Sequence, residues 1–372
     1  MQKNEVTIIG GGLAGLTAGI HLSKIGIDVT IIEKNTFPKH KVCGEYISNE
    51  VLPYFKFLDI DIDSLHPSHI SKLHFSTLNG QSMLANLPLG GFGISRYVLD
   101  QYLANKAIQN GCKIITDNVE NIDFQDDEFI VKTSKNKLLH SKIVIGAFGK
   151  RSNIDQKLSR SFIQKKSNWL AVKAHYSGNF DDDLVGLHNF KGGYCGVSKI
   201  ENHKVNVCYL ADFETFKNYK SIDDFQKNIL HKNPFLKQFL QSATKLFDKP
   251  ITISQISFSK KKAVENHILM IGDTAGLIHP LCGNGMAMAV HSAKIVSKLI
   301  ESFYKNDIKT REHLESEYQN KWNYNFNNRL RMGRNISILL QKPKLASALL
   351  RILCKFPFVL SIIIKKTHGK LI

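Results

Sequence analysis

The feature that most constrains the fold is the stretch from residue 6 to residue 33, VTIIGGGLAGLTAGIHLSKIGIDVTIIE. Its apolar pattern predicts a strand, a glycine-rich turn, a helix over 13–24 and a second strand over 29–32 that ends on Glu33, with Gly10, Gly12 and Gly15 at the G-x-G-x-x-G positions. In such a unit the first glycine permits a tight turn and the second lets the backbone approach a pyrophosphate, while the third packs the helix against the strand. The stretch therefore predicts a dinucleotide site.

The two ends of this unit supply the expected contacts to the nucleotide. At the helix start, Leu13 and Ala14 offer backbone amides where the helix dipole favours a phosphate. Glu33 stands 18 residues after Gly15 at the end of the second strand, where a carboxylate can accept hydrogen bonds from both hydroxyls of an adenosine ribose. Lys34 follows it and is counted among the expected contacts. Because an acid at this position disfavours a 2′-phosphate, these residues favour FAD or NAD over NADP.

The composition is that of a globular protein in a reducing compartment. With 372 residues, of which 43% are hydrophobic, the chain is long enough for two or three domains and a substantial core. The six cysteines include no C-x-x-C pair, which argues against a disulfide framework and against a dithiol flavoprotein reductase. The first strand begins almost at Met1, which leaves no room for a signal peptide. We therefore expect a cytoplasmic protein.

Positive charge is concentrated at the C-terminal end. Residues 321–372 contain eleven Lys and Arg and no Asp or Glu, in a chain whose net charge is +18. A uniformly basic surface would suggest a nucleic-acid partner, whereas a basic, apolar tail behind an enzyme core does not. The uninterrupted apolar part, 356–364, is shorter than the ~20 residues that a membrane-spanning helix needs.

Three interpretations of this tail stay open. It is a surface helix lying on an anionic membrane, which would make the protein peripheral on the inner membrane surface, or a helical pair packed on the enzyme. The third is a docking site for an acidic acyl-carrier protein. The basic residues concerned are Lys342, Lys344, Arg351, Lys355, Lys365 and Lys366.

The rest of the chain predicts an α/β protein with an inserted sheet. After a long polar loop, residues 51–90 show no clear period, and only short helices and strands are predicted there. Between 169 and 258, strands at 170–176, 194–200 and 204–210 indicate a second sheet-based domain, the last two forming a hairpin. Elsewhere the pattern predicts helices over 97–109, parts of 221–246, 285–303 and 308–340, and strands over 113–116, 118–124, 129–133, 138–140, 142–145 and 268–271.

Two further glycine-centred stretches join GGGLAG at 10–15, namely GAFGKRS at 146–152 and IGDTAGLIHPLCGNG at 271–285. Together with Ser95-Arg96 at a helix start, these motifs resemble the flavoprotein family that includes p-hydroxybenzoate hydroxylase-type monooxygenases and geranylgeranyl reductases. The resemblance covers roughly residues 4–335. It implies an α/β fold with a Rossmann-like FAD-binding domain of the GR2 type, an inserted antiparallel-sheet substrate domain and a C-terminal helical region. The corresponding ranges are 1–165 with 260–335, then 166–259, then 336–372.

The same resemblance implies which further residues hold FAD. Asp273 corresponds to a contact with the ribityl chain and pyrophosphate, and the Gly283-Asn284-Gly285 turn with Met286 brings backbone amides to the flavin pyrimidine. Such amides at a helix N-terminus would stabilise the negative charge of a reduced flavin. Arg96 corresponds to a partner of the FAD phosphates, a task that suits a bidentate guanidinium. Val119, which opens a strand, corresponds to a backbone contact with the adenine.

The middle motif departs from the family pattern at one place. Gly149, Arg151 and Ser152 match, whereas Ala147-Phe148 stand where the family has an acidic residue. We therefore do not expect NAD(P)H to be held through this motif, and the sequence contains no second G-x-G-x-x-G unit. NAD(P)H is expected either to bind transiently as electron donor or to be replaced by another protein that supplies electrons.

The loop at 41–45 indicates one branch of the family. Lys41-Val42-Cys43-Gly44-Glu45 resembles the C-G-D/E element of geranylgeranyl reductases, and residues 193–197 with 205–207 resemble part of that branch's substrate-domain signature. The W-x-W-x-I-P signature of flavin halogenases is absent, which argues against a halogenase. The resemblance places Cys43 and Gly44 against the flavin, where the thiol is either a contact or the donor of a proton to a double bond.

Three functions are compatible with these residues. The first is an FAD-dependent reductase or dehydrogenase that transfers hydride through flavin N5 to or from a large apolar, isoprenoid or carrier-tethered substrate. The alternative is an aromatic monooxygenase that uses NAD(P)H and oxygen, and the third is a non-catalytic or carrier-binding flavoprotein. No metal site is predicted, because His175, His188 and His279 lack the spacing of metal ligands and are expected to be structural or solvated.

Overall fold

The computed structural model describes residues 2–340, 342, 348, 364 and 368–372. Two sheets organise these residues. The strands are β1 Gln2–Ile9, β2 Val29–Glu33, β3 Tyr46–Ser48, β4 Ser68–Ser76, β5 Ser82–Gly93, β6 Lys113–Thr116, β7 Val119–Gln125, β8 Glu128–Thr133, β9 Leu138–Gly146, β10 Trp169–Ser177, β11 Leu184–Phe190, β12 Gly193–Lys199, β13 Val205–Asp212, β14 Thr244–Lys245, β15 Ile251–Ser254, β16 Val264–Glu265 and β17 Ile268–Met270. The α-helices are α1 Leu13–Lys24, α2 Leu52–Phe57, α3 Arg96–Gln109, α4 Asn153–Lys157, α5 Phe213–Phe216, α6 Ile222–Asn228, α7 Pro234–Ser242, α8 Gly285–Tyr304 and α9 Arg311–Leu340.

The first sheet is built around the N-terminal glycine unit. Its strand order is β16-β17-β9-β1-β2-β6, and the β7–β8 hairpin joins it through β9. β1 pairs in parallel with β2 and β9, and β17 pairs in parallel with β9. The predicted helix α1 is confirmed with both of its bounds, and it packs against α3 and α8. Because helices cover these parallel strands, their apolar runs are nearly continuous rather than alternating.

The second sheet has the order β14-β10-β13-β12-β11-β4-β5-β3, with β15 also on β10. Its pairs are antiparallel apart from β11 with β4, which run parallel. The predicted hairpin is confirmed as β12 and β13, in which Val197 lies opposite Val207. A separate cluster of buried side chains, from Leu170 on β10 to Phe239 on α7, packs on one face of this sheet.

Part of the second sheet comes from a region where the sequence predicts only short elements. β4 and β5 contribute 9 and 12 residues, and they lie before the range 166–259 in which the sequence places the second domain. Their pairing shifts register between Ile70 and Lys72, which accommodates Pro88 and the left-handed Gly90 inside β5. Proline and glycine normally argue against a strand, which is why the pattern concealed this one.

The end of the chain lies against the buried carboxylate of Glu50. Gly369 N donates to this carboxylate, Arg329 Nη1 lies 3.5 Å from it, and Ile372 N donates to the Glu50 carbonyl at 2.9 Å. Burial raises the pKa of Glu50 above its ordinary value despite these partners. Of the tail lysines and arginines named above, Lys342 is described and exposed, whereas the other five lie outside the described residues. Within the described residues, no helix combines the length and apolarity needed to cross a membrane.

Candidate functional site

A large cavity is lined by residues from both sheets. Its volume is about 920 Å³, near the upper end of the roughly 300–1,000 Å³ usual for small-molecule sites. One part of its wall comes from the loops that follow β1, β2 and β9 and from the turn before α8, and another from β4, β5 and β10–β13. The first part lies at the carboxyl ends of parallel strands, where open α/β sheets bind their ligands.

The three glycines at the G-x-G-x-x-G positions have different surroundings. Gly10 has φ +110°, and a Cβ there would lie 2.3 Å from the Ala147 carbonyl oxygen. A Cβ on Gly15 would lie 2.0 Å from the Gly10 carbonyl oxygen, so Gly15 serves the packing of helix on turn. A Cβ on Gly12 would instead meet its nearest neighbours at 3.6 and 3.9 Å, and these are the cationic atoms Arg96 Nη2 and Lys41 Nζ. The space above Gly12 is therefore open and bordered by two cations.

Glu33 closes the second strand inside the cavity wall. Its Oε2 accepts a hydrogen bond from Gly11 N at 2.8 Å, and its Oε1 accepts from the side chain and backbone of Asn35 at 2.9 and 3.1 Å. The carboxylate is thereby fixed beside the glycine turn. This position suits the predicted contact with an adenosine ribose.

Arg96 opens α3 and faces the glycine turn. Its guanidinium makes a bidentate pair with Asp100 at 2.7 and 2.8 Å, and Lys41 Nζ lies 3.1 Å from the same carboxylate. Burial would lower the pKa of Arg96, but the charge and hydrogen bonds of Asp100 outweigh it and raise that pKa. Two cations thus share one carboxylate beside Gly12, which leaves positive charge where a phosphate is expected.

Hydrogen bonds join the middle motif, residues 146–152, to the motif at 271–285. Gly149 N donates to Thr274 Oγ1 at 2.8 Å, and Lys261 Nζ donates to the carbonyls of Asp273 and Lys150 at 2.8 and 2.9 Å. The chain then turns through the left-handed Gly283 into α8, so the N-terminus of α8 belongs to the cavity wall. A helix N-terminus favours negative charge at this point.

The Cys43 loop lies beside the start of α8. Cys43 Sγ is 3.4 Å from Met286 Sδ, and Asn206 Nδ2 donates to the carbonyls of Gly44 and Cys43 at 2.9 and 3.3 Å. Lys150 Nζ donates to the Val42 carbonyl at 3.2 Å. The loop is therefore fixed by residues of the second sheet and of the middle motif, and it brings a thiol to the helix N-terminus.

Behind this loop lies a buried charged cluster that sequence reasoning missed. The completely buried carboxylate of Glu45 contacts Lys173 Nζ, accepts from Arg96 N at 2.7 Å and lies 2.8 Å from His175 Nε2. Burial favours the neutral acid, but the Lys173 charge and the His175 hydrogen bond hold the pKa of Glu45 below its ordinary value. The cluster fixes Glu45 at φ +55°, a left-handed conformation that is unusual for a residue with a side chain.

A sequence signal for this cluster existed. Lys173 and His175 are two residues apart on β10, so their side chains share a face of an otherwise apolar strand. Asn206 lies directly opposite His175 on β13. A charged and polar pair at strand spacing inside a buried strand indicates a partner elsewhere in the chain, although it does not identify Glu45 as that partner.

The part of the cavity that faces the second sheet is apolar. Tyr194 on β12 lies there, and its burial raises the pKa of its hydroxyl well above the ordinary value. Aliphatic and aromatic side chains from both ends of that sheet complete the wall, among them Leu73, Phe75, Leu87, Val185, Leu187 and Ile253.

The predicted contact residues converge on this one cavity with one exception. Gly15 does not line it, because it packs against Gly10. The residues on the wall are Gly10, Gly12, Leu13, Ala14, Glu33, Lys34, Cys43, Gly44, Arg96, Val119, Asp273, Gly283, Gly285 and Met286. Ala147 and Phe148 also line it, in the place where the family has an acid.

The wall fits the FAD that the sequence predicts. Glu33 would hold the ribose, the open space at Gly12 between Arg96 and Lys41 would hold the diphosphate, and the start of α8 would meet the flavin ring. When bound, FAD would supply hydride-transfer chemistry at this site.

Comparison with known proteins agrees with this geometry. The FAD binding domain family matches residues 3–318. A digeranylgeranylglycerophospholipid reductase from Methanosarcina acetivorans is 25% identical over 335 residues, which cover 86% of this chain and 80% of the relative. Two solved structures share the fold. A geranylgeranyl bacteriochlorophyll reductase-like protein from Thermoplasma acidophilum has a TM-score of 0.79 and 17% sequence identity, and the match covers 98% of this chain and 97% of that protein. A flavin-dependent brominase has a TM-score of 0.82 and 18% identity, and the match covers 98% of this chain and 93% of the brominase. The chain therefore belongs to the FAD binding domain family and is an FAD-dependent oxidoreductase.

Proposed function

We propose that this protein is a geranylgeranyl reductase-like enzyme that transfers hydride to a carbon–carbon double bond of a large apolar, isoprenoid or carrier-tethered substrate. The observation that carries the proposal is the continuity of the cavity. One end is bordered by the glycine turn and cations, and the other by the apolar face of the second sheet. An apolar chain that enters the second end would reach the start of α8, where the flavin ring is expected.

The groups around the junction of the two ends have different roles in this proposal. The N-terminus of α8 stabilises negative charge, and the apolar wall excludes water. Cys43 Sγ, 3.4 Å from Met286 Sδ, holds the proton that the second carbon of the double bond must receive. Tyr194 lines the apolar part and stays protonated, because burial raises its pKa.

Anaerobic turnover tests the proposal. Chemically reduced holoprotein is incubated without oxygen with a digeranylgeranyl lipid, and the lipid is analysed by mass spectrometry. We expect a gain of two hydrogens per reduced double bond, and replacing Cys43 by Ala should slow product formation about 100-fold or more. Cys208, which also lines the cavity, provides the matched control C208A. Absence of reduced lipid together with oxygen-dependent hydroxylation of a phenol would support the monooxygenase alternative instead.

The basic tail leads to a proposal about partners. We propose that residues 336–372 attach the enzyme to an anionic membrane, so that an apolar substrate is drawn from the bilayer, with an acidic carrier protein as the competing partner. Replacing Lys344, Arg351 and Lys355 by Gln should reduce co-sedimentation with anionic vesicles and leave flavin content unchanged. Equal sedimentation of variant and wild type would reject the membrane as partner. Charge replacement is preferable to truncation, since residues 369 and 372 contact Glu50.

A further inference from the structure

A second and smaller cavity lies between the 259–261 loop and α9. Its volume is about 230 Å³. We call this cavity the basic pocket, because its wall includes Lys260, Lys261, Trp322, Asn327, Arg331 and Arg334. Each ionisable side chain on its wall is cationic. Leu277 belongs to the walls of both this pocket and the large cavity, so the two spaces are neighbours.

Lys261 is the buried cation of the basic pocket, with a relative exposure of 8%. Two of its three ammonium hydrogens are donated to the carbonyls of Lys150 and Asp273, so its charge is held in place beside the pocket. Burial lowers the pKa of Lys261 to about 8. The charges of Asp155 and Asp273 raise this pKa, and those of Arg160 and Lys150 lower it. The ammonium thus holds the carbonyls of Lys150 and Asp273 and lies 4.2 Å from the centre of the Phe162 ring, while the side chain also lines the pocket.

The described part of the chain provides no ionic partner for the other cations of the pocket. Among the described residues, no carboxylate lies within ion-pair distance of Lys260, Arg331 or Arg334, and Arg331 Nη2 donates to the neutral Asn328 Oδ1 at 2.9 Å. The C-terminal region cannot supply an acidic side chain, because residues 321–372 contain no Asp or Glu. Four like charges around a small concave space favour an anion there.

We propose that the basic pocket binds a phosphate-bearing group of a ligand that works with the large cavity. Two guanidinium groups can each hold phosphate oxygens in a bidentate manner, and the lysine ammonium groups add positive charge. A volume of about 230 Å³ admits a phosphate or diphosphate rather than a whole nucleotide. The group is either the head of an amphipathic substrate or the 2′-phosphate of a nicotinamide donor. This inference does not depend on the reaction proposed above.

Direct titration tests the site. Holoprotein is titrated with inorganic pyrophosphate by calorimetry at about 0.15 M salt, where exposed charges are screened. The double variant R331Q/R334Q should weaken binding by about tenfold or more. The control K227Q/K237Q removes the same charge from exposed positions on α6 and α7 and should change the dissociation constant by less than about twofold. Flavin content and circular dichroism establish that both variants are folded. The same affinity in R331Q/R334Q and wild type, or no binding by wild type, would overturn the proposal.

Two further measurements identify the source of the phosphate. If R331Q/R334Q raises the KM for flavin reduction by NADPH and leaves that for NADH unchanged, the pocket serves the nicotinamide phosphate. If it weakens binding to vesicles that contain a phosphate-headed isoprenoid lipid more than the control does, the pocket serves the substrate head. Pyrophosphate binding without either effect would show an adventitious ion only and would overturn the functional role.

Discussion

The two ends of the large cavity are built in different ways. The nucleotide end is mostly local, since Gly10, Gly12 and Glu33 come from one strand–helix–strand unit in which the Gly11 amide donates to the Glu33 carboxylate at 2.8 Å. The apolar end depends on side chains that meet across the chain, because Glu45 reaches Lys173 and His175 over 128 and 130 residues. The Cys43 loop lies between the nucleotide end and the apolar end of the cavity.

The two ends should be sensitive to different kinds of substitution. Close backbone packing tolerates no added atom, whatever the polarity of the new side chain. A buried charged cluster tolerates changes of shape better than the loss of one charge, because the remaining charge is then buried without its partner. Substitutions at the two ends should therefore disrupt the protein for different reasons.

The largest effect is expected from Gly10→Ala. The added methyl group would lie 2.3 Å from the Ala147 carbonyl oxygen at φ +110°, and both partners are backbone atoms that cannot swing aside. We expect the protein to lose FAD and at least about 3 kcal/mol of unfolding free energy, measured by chemical denaturation. Gly26→Ala is the control, since Gly26 has φ +87° with nothing within 4 Å of the added Cβ, and it should cost about 1–2 kcal/mol. A G10A protein that retains FAD and wild-type stability would contradict the packing argument.

The next effect is expected from Lys173→Met in the buried cluster. The substitution keeps an extended side chain but removes the charge beside Glu45, so the free energy of unfolding should fall by about 3–5 kcal/mol. The double variant E45Q/K173M removes both charges and should recover part of this loss. If the double variant is as unstable as the sum of both single variants, the pair does not act as a unit.

The sequence predicts the local features of this protein well, and it does not predict the contacts between residues that are distant along the chain. α1 was predicted to the residue because its glycines, its apolar period and its end are all local signals. Only the family resemblance predicts that the Cys43 loop lies near the start of α8, since no local sequence pattern connects residues 43 and 286. The Glu45 cluster requires pairing information that one sequence does not contain. β5 was concealed because the bulge that accommodates Pro88 is formed with another strand.

A pH effect of intermediate size is expected at His279, which lies between β17 and α8. This histidine precedes the α8 turn and contacts Trp169, Tyr194 and Phe258, and burial lowers its pKa from 6.5 to about 4. The folded protein therefore binds fewer protons than the unfolded chain below pH 6.5, so stability is lost as the pH falls from about 6.5 towards 4.

His279→Asn should reduce this pH dependence. Asparagine can still accept from Leu281 N but does not titrate, so the stability difference between about pH 7 and pH 5 should shrink by roughly 1–2 kcal/mol. The measurement is chemical denaturation at both pH values, with the exposed His267→Asn as control. An unchanged pH dependence in H279N would show that other groups dominate the acid sensitivity.

The smallest effect is expected from Arg96→Lys, which asks how much the nucleotide end owes to a side chain. Lysine keeps the charge near Gly12 but loses the bidentate pair with Asp100. We expect the dissociation constant of FAD to rise about tenfold, which is about 1.4 kcal/mol, with little change in the stability of the apoprotein. Apoprotein titrated with FAD and followed by flavin fluorescence gives this value, and Lys41→Gln, which removes the neighbouring cation outright, is the companion variant. Should R96K abolish FAD binding as completely as G10A, the nucleotide end would depend on long-range side chains as much as the apolar end does. A modest and salt-sensitive loss would instead show that the backbone turn supplies most of the affinity and that the cations adjust it.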